Sequence, residues 1–174
     1  LNRGQKMLFE LKDNDNFTDF TGSTRIDSKC ALIGYITQAY ETTAQSGAKG
    51  ITIDFTAING KTGQGTLWIV GKKGKSNDIS INTFKCLLFL LGAKSSAAVP
   101  NTTIKKYDFE SQKDVNVKLP AHTAVMGKKI GIAWDMYKAE NGKFYPQIQF
   151  FFDPETKQTA SEKQSGEEAA YLDK

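Results

Sequence analysis

The stretch GTLWIVGKKGK, Gly65 to Lys75, sets Trp68 in the middle of an apolar run and ends it in Lys72, Lys73 and Lys75, with glycines between and no neighbouring acid. A large ring beside unneutralised ammonium groups suits a ligand that is flat and negatively charged. Single-stranded nucleic acid is such a ligand, because bases stack on rings at about 1–3 kcal/mol each while lysines meet the phosphates. Stacking is indifferent to base identity, so no base-reading motif is required. The combination recurs further on, where Tyr137 and Lys138 precede a Glu140-Asn141-Gly142 turn and Lys143 and Tyr145 follow it. Tyr35, Tyr40, Lys49 and Lys61 complete the candidates for contact with single-stranded DNA. Each has a plainer reading: Trp68 as core, the tyrosines as surface packing, the lysine run as a solvated loop.

Residues that enzymes rely on are sparse. His122 is the only histidine, so a zinc site would draw on Cys30, Cys86 and carboxylates at spacings that zinc motifs do not use. A Ser-His-Asp relay has only His122 to work with, and no nucleophile elbow accompanies it. GKKGKS, Gly71–Ser76, approaches a phosphate loop, but the Gly-x4-Gly-Lys-Ser pattern needs glycine where Ile69 stands. A two-metal nuclease needs several inward carboxylates on strands, and only Asp54 and Asp135 qualify. No catalytic residue, metal or cofactor is expected.

At 174 residues, 39% hydrophobic and 11% aromatic, the chain has the size and composition of one globular domain. No apolar run approaches the ~20 residues of a membrane span. No basic-then-apolar signal segment opens the sequence, which begins at Leu1. Cys30 and Cys86 lie in apolar stretches and read as buried free thiols, which suits a reducing cytoplasm. The net charge of +4 hides an asymmetry: residues 153–174 hold six acids and three bases, and residues 1–152 hold 13 acids and 20 bases. A basic body with an acidic end points to a polyanionic partner for the body.

Several elements are needed to position these residues. Residues 1–29 are polar, anchored by Phe9, Phe17 and Phe20, and read as an N-terminal extension packed on the domain. ALIGYITQAYE, Ala31 to Glu41, is rich in β-formers and reads as a strand. In ITIDFTAI, Ile51, Ile53, Phe55 and Ala57 face one way and Thr52, Asp54 and Thr56 the other, a strand with one wet face. Asn59-Gly60 predicts a hairpin with a type I′ turn. GQGTLWIVGK returns, with Gly63 and Gly65 marking a bulge or bend. Its alternation turns Leu67 and Ile69 inward and Trp68 outward. The period then changes, and Ile81, Phe84, Leu87, Leu88 and Leu91 predict a helix over about 80–92, capped by Asp78 or Ser80. Residues 94–127 read as an insertion in which only Val115, Val117 and Leu119 suggest a strand. KKIGIAWDMYKA and KFYPQIQFFF form a last hairpin with Trp134 inward, and Pro146 predicts an edge or a bulge. Residues 153–174 read as a disordered acidic tail.

Three meander strands, a helix, then a two-stranded hairpin is the order of an OB-fold, a mainly β, five-stranded Greek-key barrel that binds through its second and third strands and nearby loops. A generic five-stranded α+β sheet is the alternative. The domain so defined spans 30–152. With ITIDFTAINGKTGQGTLWIVGKKGK, the apolar helix and the acidic end in place, the chain resembles the single-stranded DNA-binding proteins of tailed bacteriophages, in layout over residues 30–152. That resemblance implies an OB-fold coating single-stranded DNA in replication, recombination or repair, in the host cytoplasm. It implies that the tail contacts replication or recombination proteins and competes with DNA for the basic groove. A membrane is not expected as a partner, and a homo-oligomer is left open. The rival reading is an OB-like or β-sandwich module that binds protein. It predicts a contiguous apolar patch, where the outward face of Thr52, Asp54, Thr56, Trp68 and the lysines is polar and basic.

Overall fold

The computed structural model describes residues 24–173. Most of the expected N-terminal extension lies outside the described residues. Within its last part, Ile26 is buried and donates its N–H to the Thr62 carbonyl at 2.8 Å.

The described chain is mainly β. Its elements run β1 (Cys30–Thr43), β2 (Lys49–Ala57), β3 (Thr62–Val70), α1 (Asp78–Leu90), β4 (Val99–Asp108), β5 (Lys113–Ala121), β6 (Lys129–Lys138), β7 (Phe144–Phe152) and α2 (Ala160–Ser165), followed by a 3-10 turn, Tyr171–Asp173. Every ladder between these strands is antiparallel. The long β1 organises the sheet. One edge pairs with β2 nearly throughout, from Gly34↔Ala57 to Thr43↔Lys49. The other edge is shared: Cys30–Tyr35 pairs with β6, and Tyr40 bridges Ala121 of β5. The sheet therefore forks at β1 into a β6–β7 hairpin and a β5–β4 hairpin.

Alternation explains the core. Ile51, Ile53, Phe55 and Ala57 of β2, Leu67 of β3 and Ile130, Ile132 and Trp134 of β6 point inward and are buried. Trp134 has no exposure and meets Phe55 with ring centroids 5.9 Å apart. Phe84, Leu87 and Leu90 put the apolar face of α1 against this cluster. The helix cap is Asn77, whose side chain accepts the Ser80 N–H; Asp78 and Ser80 lie inside the helix. Gly63 and Gly65 mark no bulge. A Cβ on Gly63 would come 2.9 Å from the Trp134 ring, and one on Gly65 2.7 Å from Ile148 of β7. The missing side chains let β3 lie close to β6 and β7. Among the described residues no hydrogen-bonded ladder joins β3 to β7, so the sheet stays open there.

Four connections use one loop. In Ala44–Ala48, Ala57–Lys61, Gly71–Lys75 and Ala139–Lys143, the first N–H donates to the fifth carbonyl and the fourth N–H to the first carbonyl. The fourth residue is always glycine, at φ between 78° and 89°, as a three-residue hairpin loop requires. The Asn59-Gly60 hairpin closes this way: Gly60 alone of the pair has a positive φ, and the expected type I′ turn is replaced. Pro146 sits on β7, which among the described strands pairs only with β6 and so lies at an edge.

Two regions differ from the sequence reading. Residues 94–127 carry a full hairpin, β4–β5, with ladder pairs from Thr102↔Leu119 to Asp108↔Lys113. Residues 153–173, expected as a disordered tail, fold back on the body. Asp153 is buried and accepts hydrogen bonds from Glu155 N–H, Thr156 N–H and, at 2.6 Å, Lys163 Nζ. Thr159 and Glu162 form a reciprocal capping box on α2. The Glu162 carboxylate also accepts the Tyr171 N–H at 2.8 Å, and the Tyr171 ring stands edge-on to Phe150 of β7. Polar hydrogen bonding orders this segment where apolar content would not.

Candidate nucleic-acid interface

The face of β1, β2 and β3 turned away from the core forms a polar floor, in which Thr52, expected on a wet face, is itself buried. Thr42, Thr52 and Thr66 make a hydroxyl ladder, with oxygens 2.6 and 2.9 Å apart. Two residues along, Asp54 accepts from Gln38 Nε2 at 2.8 Å and from Gln64 Nε2 at 2.7 Å. Trp68 continues the β3 row beyond Thr66 and is 37% exposed. It pairs with Gly50, and a Cβ there would come within 3.0 Å of its ring. The indole thus lies across bare backbone with its outer surface in solvent.

The lysines gather at the same end. Lys49 pairs with Val70, and Val70 leads into the Gly71–Lys75 loop, which returns through a Val70↔Ser76 bridge. Lys72, Lys73 and Lys75 are all exposed. Gly74 takes φ 78° to close the loop, so the glycines between these lysines serve the turn. A Cβ on Gly71 would meet only ordinary contact, 3.6 Å from the Lys75 carbonyl oxygen. Lys49 and the three loop lysines thus flank the end of the β2–β3 ladder at which Trp68 stands, with Lys49 lining a cleft on the α1 side.

A second cluster occupies the β6–β7 tip. Tyr137 and Tyr145 are cross-strand partners with ring centroids 5.8 Å apart, 46% and 38% exposed. Lys138 Nζ lies 6.0 Å from the centroid of the exposed Phe144 ring, and Lys143 ends the loop. Phe144 is a member the sequence reading missed; its place beside the turn was the available signal.

The remaining candidates stand apart. Tyr35 is exposed, but it pairs with Thr56 near the far end of β2, and Lys61 beyond it ion-pairs with Asp27 at 3.8 Å. Tyr40 is a correction. Its ring is 2% exposed, packed with Ile104 and Ala121, and Lys106 Nζ lies 5.6 Å from its centroid. The β4–β5 hairpin covers it, so no base can stack on it. Burial, helped by Asp54, pushes its hydroxyl pKa well above the ordinary value.

Other chemistry is weakly provided for. Among the described residues no cluster of His, Cys, Asp or Glu could hold a metal ion. No helix there is long and apolar enough to cross a membrane. Cys30 and Cys86 are free, half-buried thiols whose pKa values burial raises. His122 is buried at a cleft of about 440 Å³ between α1 and the ends of β1–β3. Its Nδ1 lies 2.8 Å from Ser96 Oγ, and burial, partly offset by Glu41, lowers its pKa. No carboxylate among the described residues hydrogen-bonds the ring to complete a relay. No known family model matches the chain, and no curated protein does.

Proposed function

We propose that this chain binds single-stranded DNA without sequence preference, on an OB-type barrel whose five strands are β1, β2, β3, β6 and β7. The topology supports that reading: the meander, the helix after the third strand, β6 on the edge of β1 opposite β2 and β7 lying close to β3 all follow the OB order. The β4–β5 hairpin is then an insertion between helix and fourth strand. The observation that carries the function is the setting of Trp68. A part-exposed ring over Gly50, at the strand end that carries Lys49 and leads into three exposed loop lysines, would offer a stacking surface and phosphate contacts together. The floor is built of Thr42, Thr52, Thr66, Gln38, Asp54 and Gln64, a polar surface that favours nucleic acid over a protein partner. Both Asp54 oxygens are taken by glutamine amides, so phosphates belong at the lysine-bearing rims.

Coating of single-stranded DNA in phage replication, recombination or repair is part of the same proposal and rests on the resemblance in layout. Titration of fluorescent oligo-dT at rising salt tests it. Binding at ~50 mM salt that weakens steeply as counterions are released supports the reading, with duplex DNA weaker. Absent or salt-insensitive binding overturns it.

A further inference from the structure

We propose that the β4–β5 hairpin is a second arm of the same interface, stacking bases of the bound strand on Tyr107 and Phe109. This inference rests on the single-stranded DNA reading above. The root of the hairpin is rigid. Ile104 has no exposure and packs against Tyr40 and Ala121. The Gln38 side chain acts as a short strand against the free edge of β4: its Oε1 accepts the Lys105 N–H at 2.8 Å, and its Nε2 donates to the Lys105 carbonyl at 2.9 Å. That same Nε2 reaches Asp54, which holds Gln64 of β3. One line of hydrogen bonds therefore runs from the hairpin edge across the floor that carries Trp68.

The tip is also held in its backbone, but its side chains are bare. Asp108 accepts from the N–H and hydroxyl of Ser111, and the pair closes the turn. Tyr107 and Phe109 meet edge to face at 5.1 Å and are 51% and 84% exposed. Nothing within the described residues uses this surface. Aromatic rings on a tip connected to the floor fit a second set of bases. The local charge is nearly balanced, with four lysines against three acids between Val99 and Ala121. The arm therefore contributes stacking and little to the salt dependence.

The test compares Tyr107→Ala/Phe109→Ala with wild type on oligo-dT of about 8 and about 30 nucleotides, since one OB-fold occupies roughly 4–16. The variant should bind the long oligonucleotide at least about fivefold more weakly, with an unchanged salt slope, and the short one as wild type does. Tyr107→Phe/Phe109→Tyr, which keeps both rings, should restore long-oligonucleotide affinity. If wild type binds and the alanine variant matches it at both lengths, the arm does not exist. An alanine variant that changes sedimentation mass without changing DNA affinity makes the tip a protein contact and overturns the inference too. If wild type binds neither oligonucleotide, the underlying reading has failed instead.

Discussion

The chain has two tryptophans in opposite settings, and that gives the interface an internal reporter. Trp134 has no exposure, while Trp68 is 37% exposed over Gly50. A base stacking on an indole can reach only Trp68. Oligo-dT should therefore quench part of the intrinsic emission, taken from the solvent-exposed component. The quench should persist in Trp134→Phe and vanish in Trp68→Phe. Trp68→Ala should cost about 1–3 kcal/mol of binding, the worth of one stacked base, with the salt slope nearly unchanged. The folding cost must be separated from this. About two-thirds of the Trp68 surface is covered, ~150 Å² of a large ring, so truncation removes at most ~4 kcal/mol at ~25 cal/mol per Å². That is an upper bound, because the unfolded chain already buries part of the surface. Trp134→Ala should cost at least ~3–5 kcal/mol, as a core truncation does. Binding is therefore compared well below the melting temperature of each variant. If Trp68→Phe keeps the full quench, or Trp68→Ala binds oligo-dT like wild type, the indole is a packing residue and the interface lies elsewhere.

Three further outcomes follow from neighbouring geometry. Replacing Lys72, Lys73 and Lys75 by Ala should flatten the log–log salt slope of oligo-dT binding by up to ~2, at roughly 0.7 per lost phosphate contact; an unchanged slope makes the loop merely solvated. Gln38→Ala removes two hydrogen bonds to the main chain of β4 and one to Asp54, so it should cost ~1–3 kcal/mol and speed hydrogen exchange at the Lys105 amide. Burial raises the Asp153 pKa, but Lys163 and the N–H groups of Thr156 and Glu155 outweigh it and bring it to about 2. A depressed carboxyl pKa stabilises the fold above the unfolded value of ~3.9 and ceases to as pH falls towards 2; the loss should be ~1–2 kcal/mol, discounted because Lys163 is part-exposed. Thermal melts at pH 2 and pH 5 should therefore differ less in Asp153→Asn than in wild type.

How far the fold is legible depends on how one-sided each element is. Strands β2, β3 and β6 read directly because Ile51, Ile53, Phe55 and Ala57, then Leu67, then Ile130, Ile132 and Trp134 alternate and bury one face, and α1 reads because Phe84 and Leu87 repeat at helical spacing. The outward turn of Trp68 follows from the same alternation. The β4–β5 hairpin escapes it. Its exposed outer parts leave Ile104 as the only fully buried apolar side chain before Ala121, and Asn101, at φ 55°, accompanies a register shift between Val99 and Thr102. That single omission propagates to Tyr40. Alternation places its ring on the outer side of β1 with Gln38, which is solvent-facing until a hairpin lies over it.

The C-terminal segment fails to read for a different reason, and the consequence bears on its electrostatics. Its order comes from carboxylates, whereas composition rules treat acids as solvated charge. Of the six acids from Asp153 onward, Asp153 holds Lys163, Glu155 pairs with Lys129 at 3.2 Å, and Glu162 caps α2 and anchors Tyr171. Glu167, Glu168 and Asp173 remain exposed. A free tail carrying six acids and three bases would sweep the lysine clusters and compete with phosphates at low salt. A docked segment holds its charge in one fixed position beside β7, with Glu155 paired to Lys129 of the body, and the field of exposed charges is screened within ~10 Å at 0.1 M salt. Competition with DNA for the Trp68 end is therefore weaker than the composition implies. Any autoinhibition requires undocking of the segment, which the Asp153–Lys163 contact opposes.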